Sequence, residues 1–365
     1  MIALRGGTYN LTTNLSFEAV GAEGNPVTVM GYPGEWPILN FGGTGRVWMN
    51  GAQWMVIRDL EIQNSDSHGF YLVGKDGKDP ASDNKFVNIV SRNSQLTAWA
   101  VTHGSRNEIW YSLAIWTGSV STPGDADGFG PGGQEGYSEG NACYGCVSVD
   151  APDDGFDTWQ SYQTTLIACT SIRAGYWGGN GNGFKLGRGL PPEGAWTHAP
   201  SSEWYLSRAT VRACLALDST AAGFDSNAGA DSDVLHCTAL NNGGSEFGFV
   251  RAGDNPTPLP GGNIETNLLR NNVALGAVSI HSATSALDVT NSWNGGTTIV
   301  AGDFESVTAP PTSAFSGLTG QEAFALIETG AYAALGRLAT GATPIGAATD
   351  LGYGDDQGAF MFTVA

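Results

Sequence analysis

Cys146-Val147-Ser148-Val149, Gly155-Phe156-Asp157, Cys169-Thr170-Ser171-Ile172 and Gly183-Phe184-Lys185 follow one another within residues 146–185. Two motifs are thus each written twice in the same order. The first returns as Cys214-Leu215-Ala216-Leu217 and Cys237-Thr238-Ala239-Leu240; Ser112-Leu113-Ala114-Ile115 fits it upstream and Asn272-Val273-Ala274-Leu275 downstream. The steps from Ser112 onward are 34, 23, 45, 23 and 35 residues. The short step suits one coil of a solenoid, and the long ones a coil carrying a loop. Small and larger residues alternate in each segment, as in a strand with one face turned into a narrow core.

The second motif forms its own series at Gly69-Phe70, Gly128-Phe129, Gly155-Phe156, Gly183-Phe184, Gly223-Phe224 and Gly248-Phe249. Stacked coils would bring these rings into an inward ladder, where offset stacking adds to burial. The next residues, Tyr71, Gly130, Asp157, Lys185, Asp225 and Val250, would point outward. Two series in compatible register predict an all-β chain, a right-handed parallel β-helix. A β-sandwich would show hairpin turns every 8–12 residues without such register. Four of the five cysteines sit in the repeat and read as a buried thiol ladder. Cys143-x-x-Cys146 finds no second C-x-x-C to complete a zinc site.

The 365 residues divide at about position 305. Residues 1–305 read as the β-helix with its cleft. Residues 306–365 read as a C-terminal capping segment over the last coil, entered through Thr308-Ala309-Pro310-Pro311, with helical pieces between Gln321 and Thr340 and a Gly/Ala-rich stretch from Gly341 to Phe360. A formal charge of −19 argues against nucleic acid and anionic membranes as partners. No apolar run reaches the length of a membrane span, and no leader peptide is visible before strand-like sequence begins at Ala3. That abrupt opening suggests a missing upstream part.

The chemistry concentrates in three clusters: Asp125-Ala126-Asp127-Gly128-Phe129, Asp153-Asp154-Gly155-Phe156-Asp157 and Gly181-Asn182-Gly183-Phe184-Lys185. Asp127 and Asp154 share the position before Gly-Phe; Asp157 and Lys185 share the position after it. Coils stacked about 4.8 Å apart would gather Asp127, Asp153, Asp154 and Asp157 on one patch with Lys185 beside it. Carboxylates this close repel unless a cation lies among them, and an irregular set of hard oxygens suits Ca2+. An Asp-Gly pair alone is ordinary turn chemistry; Asp127, Asp154 and Asp157 in register on adjacent coils are not. Lys185, with its pKa lowered by the nearby cation, could act as a base. Together these parts suit proton abstraction beside a uronate carboxylate followed by β-elimination. Hydrolysis would instead need two facing carboxylates.

These motifs resemble the family 9 polysaccharide lyases, the pectate lyase-like β-helix enzymes. The resemblance is carried by Ala126 to Phe129, Asp153 to Asp157 and Gly179 to Gly187, and extends to Gly6-Gly7-Thr8-Tyr9, Gly31-Tyr32-Pro33-Gly34-Glu35 and Asp355-Asp356-Gln357-Gly358-Ala359-Phe360. It implies that Asp127, Asp153, Asp154 and Asp157 are calcium ligands, that Lys185 is the Brønsted base, and that the substrate is polygalacturonate or another acidic polysaccharide. It further implies a secreted protein, which we expect to be monomeric. The family usually continues Ala-x-Lys after Asp-Gly-Phe, whereas here Gly130-Pro131-Gly132-Gly133 follows. The inserts Gly74 to Asn84 and Gly187 to Ser202 would shape the cleft, with Arg188, Trp196 and His198 as candidate sugar contacts. The rival function is a glycan-binding β-helix that does not cleave, such as a viral tail component.

Overall fold

The computed structural model describes the chain except residues 75–79, 117, 119, 133–137, 188–206, 228, 230, 250–266, 281–287, 295–297, 340–341 and 343–365. All ladder pairings between the strands are parallel, and the chain winds as a β-helix. One face is a ten-stranded sheet running from Leu15–Phe17 to Val278–Ile280. It holds both Phe156–Asp157 and Phe184–Lys185 and is called here the site sheet. Two further ladders share the long strands Met55–Gln63 and Lys85–Arg92 and make up the other faces.

A sharp corner joins those two ladders in each coil. One residue takes a left-handed conformation there: Tyr111, Gly145, Ala168, Ala213, His236 and Asn271 have φ of 45, 61, 54, 51, 53 and 56°. The next residue points inward, which places Ser112, Cys146, Cys169, Cys214, Cys237 and Asn272 in a column. Cys146, Cys169, Cys214 and Cys237 are free and buried, as the repeat predicted, and so is Cys143 outside it. Each thiol in the column donates toward a carbonyl at the neighbouring corner, as Cys169 Sγ does to Cys143 O at 3.4 Å. In the strand that follows, the small residues Ala114, Ala216, Ala239 and Ala274 join the central core. The large ones, among them Ile115, Val149, Ile172 and Leu217, lie on the outer side in a second apolar cluster.

The small inward column explains the glycines. A Cβ on Gly128 would lie 2.2 Å from Ser148 Oγ, one on Gly155 2.0 Å from Ser171 Oγ, and one on Gly183 2.7 Å from Ala216 Cβ. The core is too narrow at this level for two side chains. One residue later it widens, and the aromatic ladder fills it. Ring centroids are 4.8 Å apart from Trp99 to Phe129, from Phe129 to Phe156 and from Phe156 to Phe184, then 4.7 Å to Phe224 and 4.9 Å to Phe247.

Two rungs differ from the expected series. Trp99 fills the coil between Phe70 and Phe129, where Ala98-Trp99 replaces Gly-Phe. At the far end Phe224 pairs with Phe247, so the Gly248-Phe249 motif stands two residues out of phase. Phe249 is buried at the next inward position. Val250, expected to face outward, lies outside the described residues.

The described part of the C-terminal segment covers the flank of the helix rather than an end. It starts against late coils and proceeds toward early ones: Asn241 donates to Val307 O, Arg173 to Pro310 O, and Arg92 to Phe315 O and Leu318 O. Phe324 then packs edge-on against Trp36. Phe304, Phe315, Ile327, Tyr332 and Leu335 seal the outer apolar cluster. The expected helical pieces are Gly320–Glu328 and Gly330–Ala333. Thr319 and Glu322 form a reciprocal capping box that starts the first of them.

Each aromatic rung is fully enclosed, so truncating one leaves a cavity that its neighbours cannot fill. Phe224→Ala should cost about 3–5 kcal/mol of stability, read as a lowered midpoint in denaturant unfolding.

Candidate active site

The column of residues before Gly-Phe is Thr97, Asp127, Asp154, Asn182 and Ala222, one from each successive coil. Hydrogen bonds link every member to the next. Thr97 Oγ1 donates to Asp127 Oδ2 at 3.1 Å, and Asp154 N to Asp127 Oδ1 at 3.1 Å. Asn182 donates to Asp154 Oδ1 twice, from its backbone N at 2.7 Å and its side-chain Nδ2 at 2.9 Å. Ala222 N closes the run on Asn182 Oδ1 at 3.2 Å. Asp153, one position earlier, accepts from Asn180 N.

Asp127, Asp153 and Asp154 each offer a carboxylate oxygen, and these oxygens lie within 4.8 Å of one another. Asp157 belongs to the adjoining column. It accepts from Trp159 N at 2.8 Å and from Lys185 Nζ at 2.8 Å, and Lys185 Nζ also reaches Asp154 Oδ2 at 3.0 Å. The structure therefore brings all five proposed residues together, with three carboxylates grouped and the fourth turned to the lysine.

Burial dominates the electrostatics. It pushes Asp127 well above the usual carboxylate range, helped by repulsion from Asp157, Asp154 and Asp153. Burial and Asp154 lift Asp153 to about 7. Burial lifts Asp157 to about 6, although Lys185 pulls it back. For Lys185 burial works downward, but Asp157 and Asp154 outweigh it and hold the ammonium above the ordinary lysine range. Hard, crowded, partly fixed carboxylates of this kind fit a divalent cation such as Ca2+. Neighbouring backbone N–H groups hold one oxygen of each of Asp127, Asp153, Asp154 and Asp157.

The cluster forms one wall of a cleft of about 530 Å³ along the site sheet. His68, Thr97, Ala100, Gly130 and Trp159 line the rest, together with Asn227. Trp159, 38 % exposed, carries Lys185 Nζ 5.8 Å from its ring centroid. Trp159, Asn182 and Thr97 are not among the site residues expected from the sequence. Asn182 was detectable, because it occupies the register position of Asp127 and Asp154. Trp159 stands in a loop and carries no such mark. Arg188, Trp196 and His198 lie outside the described residues.

Residues 1–267 match the family model described as "Pel9A-like, right handed beta helix region". The chain belongs to this Pel9A-like β-helix family. The resemblance read from the lysine and aspartate motifs therefore holds, as does the right-handed parallel β-helix. Pectate lyase L of Dickeya chrysanthemi is 27% identical over 335 residues, covering 84% of this chain and 70% of that protein. Pectate lyase PEL9 of Emericella nidulans is 28% identical over 230 residues, 52% of this chain and 54% of that one. Among solved structures, pectate lyase Pel9A superposes with a TM-score of 0.76 at 24% identity, covering 98% of this chain and 87% of the other. A rhamnogalacturonan lyase superposes with a TM-score of 0.65 at 18% identity, over 88% and 89% of the two chains. These two likenesses concern the fold.

The raised carboxylates set a direction for pH dependence. A carboxyl whose folded pKa exceeds its unfolded value favours the fold when protonated, and that contribution disappears as pH rises through the folded pKa. For Asp153 and Asp157 the window runs from 3.8 to about 7. Lys185 titrates above it. In chelator, the melting temperature should fall as pH rises across this window, and Asp153→Asn should flatten the fall. An unchanged slope in the variant would contradict the assignment.

Proposed function

We propose that this polysaccharide lyase cleaves polygalacturonate or a closely related polyuronide by calcium-dependent β-elimination, with Lys185 as the base. The observation that carries the reading is the placement of Lys185 Nζ against Asp154 and Asp157, at the edge of a buried acidic cluster and facing an open cleft. The family membership and the pectate lyase relatives supply the reaction class.

Asp127, Asp153 and Asp154 would hold the calcium, with Asp157 within reach of the same charge. Bound there, the cation supplies positive charge against the uronate carboxylate and against the Lys185 ammonium, which moves that lysine toward its neutral form. The chain's own residues do the rest. Asn182 fixes Asp154 through two hydrogen bonds, and Asp154 and Asp157 aim Nζ into the cleft. Nζ accepts the C5 proton of the uronide. The electron pair of that C–H bond becomes the C4–C5 double bond as the C4–O bond breaks, and the departing oxygen takes a proton from water. Trp159 offers a flat face beside the reacting ring.

The acid-rich surface, with a net charge of −19, fits this scheme only when a cation mediates between protein and anionic polymer. No helix among the described residues is long and apolar enough to cross a membrane. A polymeric substrate is met outside the cell, so we place the activity there.

The test is formation of unsaturated uronide, followed by ultraviolet absorbance on a polyuronide panel with added Ca2+ and with chelator. Activity on polygalacturonate should vanish in chelator. Lys185→Ala should lose about 10²- to 10⁴-fold in kcat, the range of a positioned general base. No product from any polyuronide would sink the lyase reading on this substrate class, and full activity in Lys185→Ala would sink the base assignment.

A further inference from the structure

The outward residues of the site sheet follow one another in the order Trp48, Tyr71, Ala100, Gly130, Asp157, Lys185 and Asp225. This sequence of side chains is uneven. Two large aromatics stand on early coils, two residues with almost no side chain follow, and then come the acidic cluster and the lysine. Ala100 and Gly130 leave the floor of the cleft flat for two rungs, and both line it. The cleft reaches His68, whose ring stacks on Tyr71 at 4.8 Å and 16°. Trp48 continues the surface, 6.3 Å from Tyr71 between ring centroids.

Arg46 adds charge to this end. Its guanidinium lies over the Tyr71 ring at 5.7 Å and forms a partly exposed ion pair with Asp66 at 3.3 Å. Burial and Arg46 push His68 down to about 4, so at neutral pH the cation of the group is Arg46. Beyond Lys185 the same row turns acidic with Asp225. A polyanionic chain lying along the sheet therefore meets aromatic faces and a cation toward the early coils. Toward the late coils, among the described residues, it meets a carboxylate. Apolar sugar faces pack on aromatic rings, and uronate carboxylates pair with guanidinium.

We propose that Trp48 and Tyr71, with Arg46 beside them, form a remote subsite that binds sugar units of the polyuronide three sheet spacings (Tyr71) and four (Trp48) from Asp157, about 14 and 19 Å away. The proposal rests on the reading of the cleft as a polyuronide site and adds a direction to it. The substrate extends from the reacting unit toward the N-terminal coils. The pleat supports this geometry, since Val47 and Met49 are buried while Trp48 between them faces outward, and Phe70 and Leu72 flank Tyr71 in the same way.

The experiment compares kcat/KM on tri- and octagalacturonate for the calcium-loaded wild type, Trp48→Ala, Tyr71→Ala, Tyr71→Phe and Arg46→Gln. The trimer is too short to span from the lysine to the aromatic pair. In wild type the octamer should be strongly preferred. In Trp48→Ala and Tyr71→Ala the octamer-to-trimer ratio should fall about tenfold, the value of roughly 1.4 kcal/mol of lost stacking. Tyr71→Phe should keep the preference, because the ring face carries the contact. Arg46→Gln should lower the ratio most at low salt. If the wild type prefers the octamer and both alanine variants keep that preference, the subsite is refuted while the lyase reading stands. Equal loss on both substrates would also refute it, marking these residues as structural. Absence of turnover on either oligomer by the wild type would overturn the polygalacturonate reading and this subsite with it.

Discussion

The contact between the glycine column and the Ser/Ala column fixes most of what this molecule does. Gly128, Gly155 and Gly183 lie against Ser148, Ser171 and Ala216 so closely that neither side could accept a larger residue. Such contacts work only in one register, because a shift by one residue would present the other face of every strand. The Phe ladder is locked by the same register. With the inner faces thus pinned, the residues just before and just after each Gly-Phe pair line up with those of neighbouring coils. Asp127, Asp154, Asp157 and Lys185 are these two columns seen from outside.

That arrangement holds several carboxylates where isolated ones would be costly. Part of the cost is offset locally: Asp154, Asn180, Asn182 and Trp159 each donate a backbone N–H to an aspartate of the cluster. Lys185 supplies the only ammonium in contact with it among the described residues. The remainder shows as raised proton affinities. A site so strained by its own charge is one that a divalent ion would stabilise, and local conflict of this kind is expected at functional sites.

Much of this was legible in the sequence because a solenoid repeats. The thiol column, the aromatic rungs and the alignment of Asp127 with Asp154 all follow from spacing. What escaped has physical reasons. The left-handed corners are occupied by residues as different as Tyr111, Ala168 and His236, so composition gives no signal for them. Trp99 was hidden because Ala98 replaces the expected glycine, and Phe247 because a second Phe follows two residues later. The path of the C-terminal segment depends on contacts such as Arg173 to Pro310, 137 residues apart, which no local pattern encodes.

That returning segment alters the character of the whole chain. A solenoid is close to a one-dimensional object, in which each coil touches only its neighbours and the ends can open independently. Here a strap anchored at Asn241, Arg173, Arg92 and Trp36 spans coils distant in sequence. It couples early and late coils into one cooperative unit, so that fraying at one place must release the strap and uncover apolar surface elsewhere. Such long-range closure slows folding.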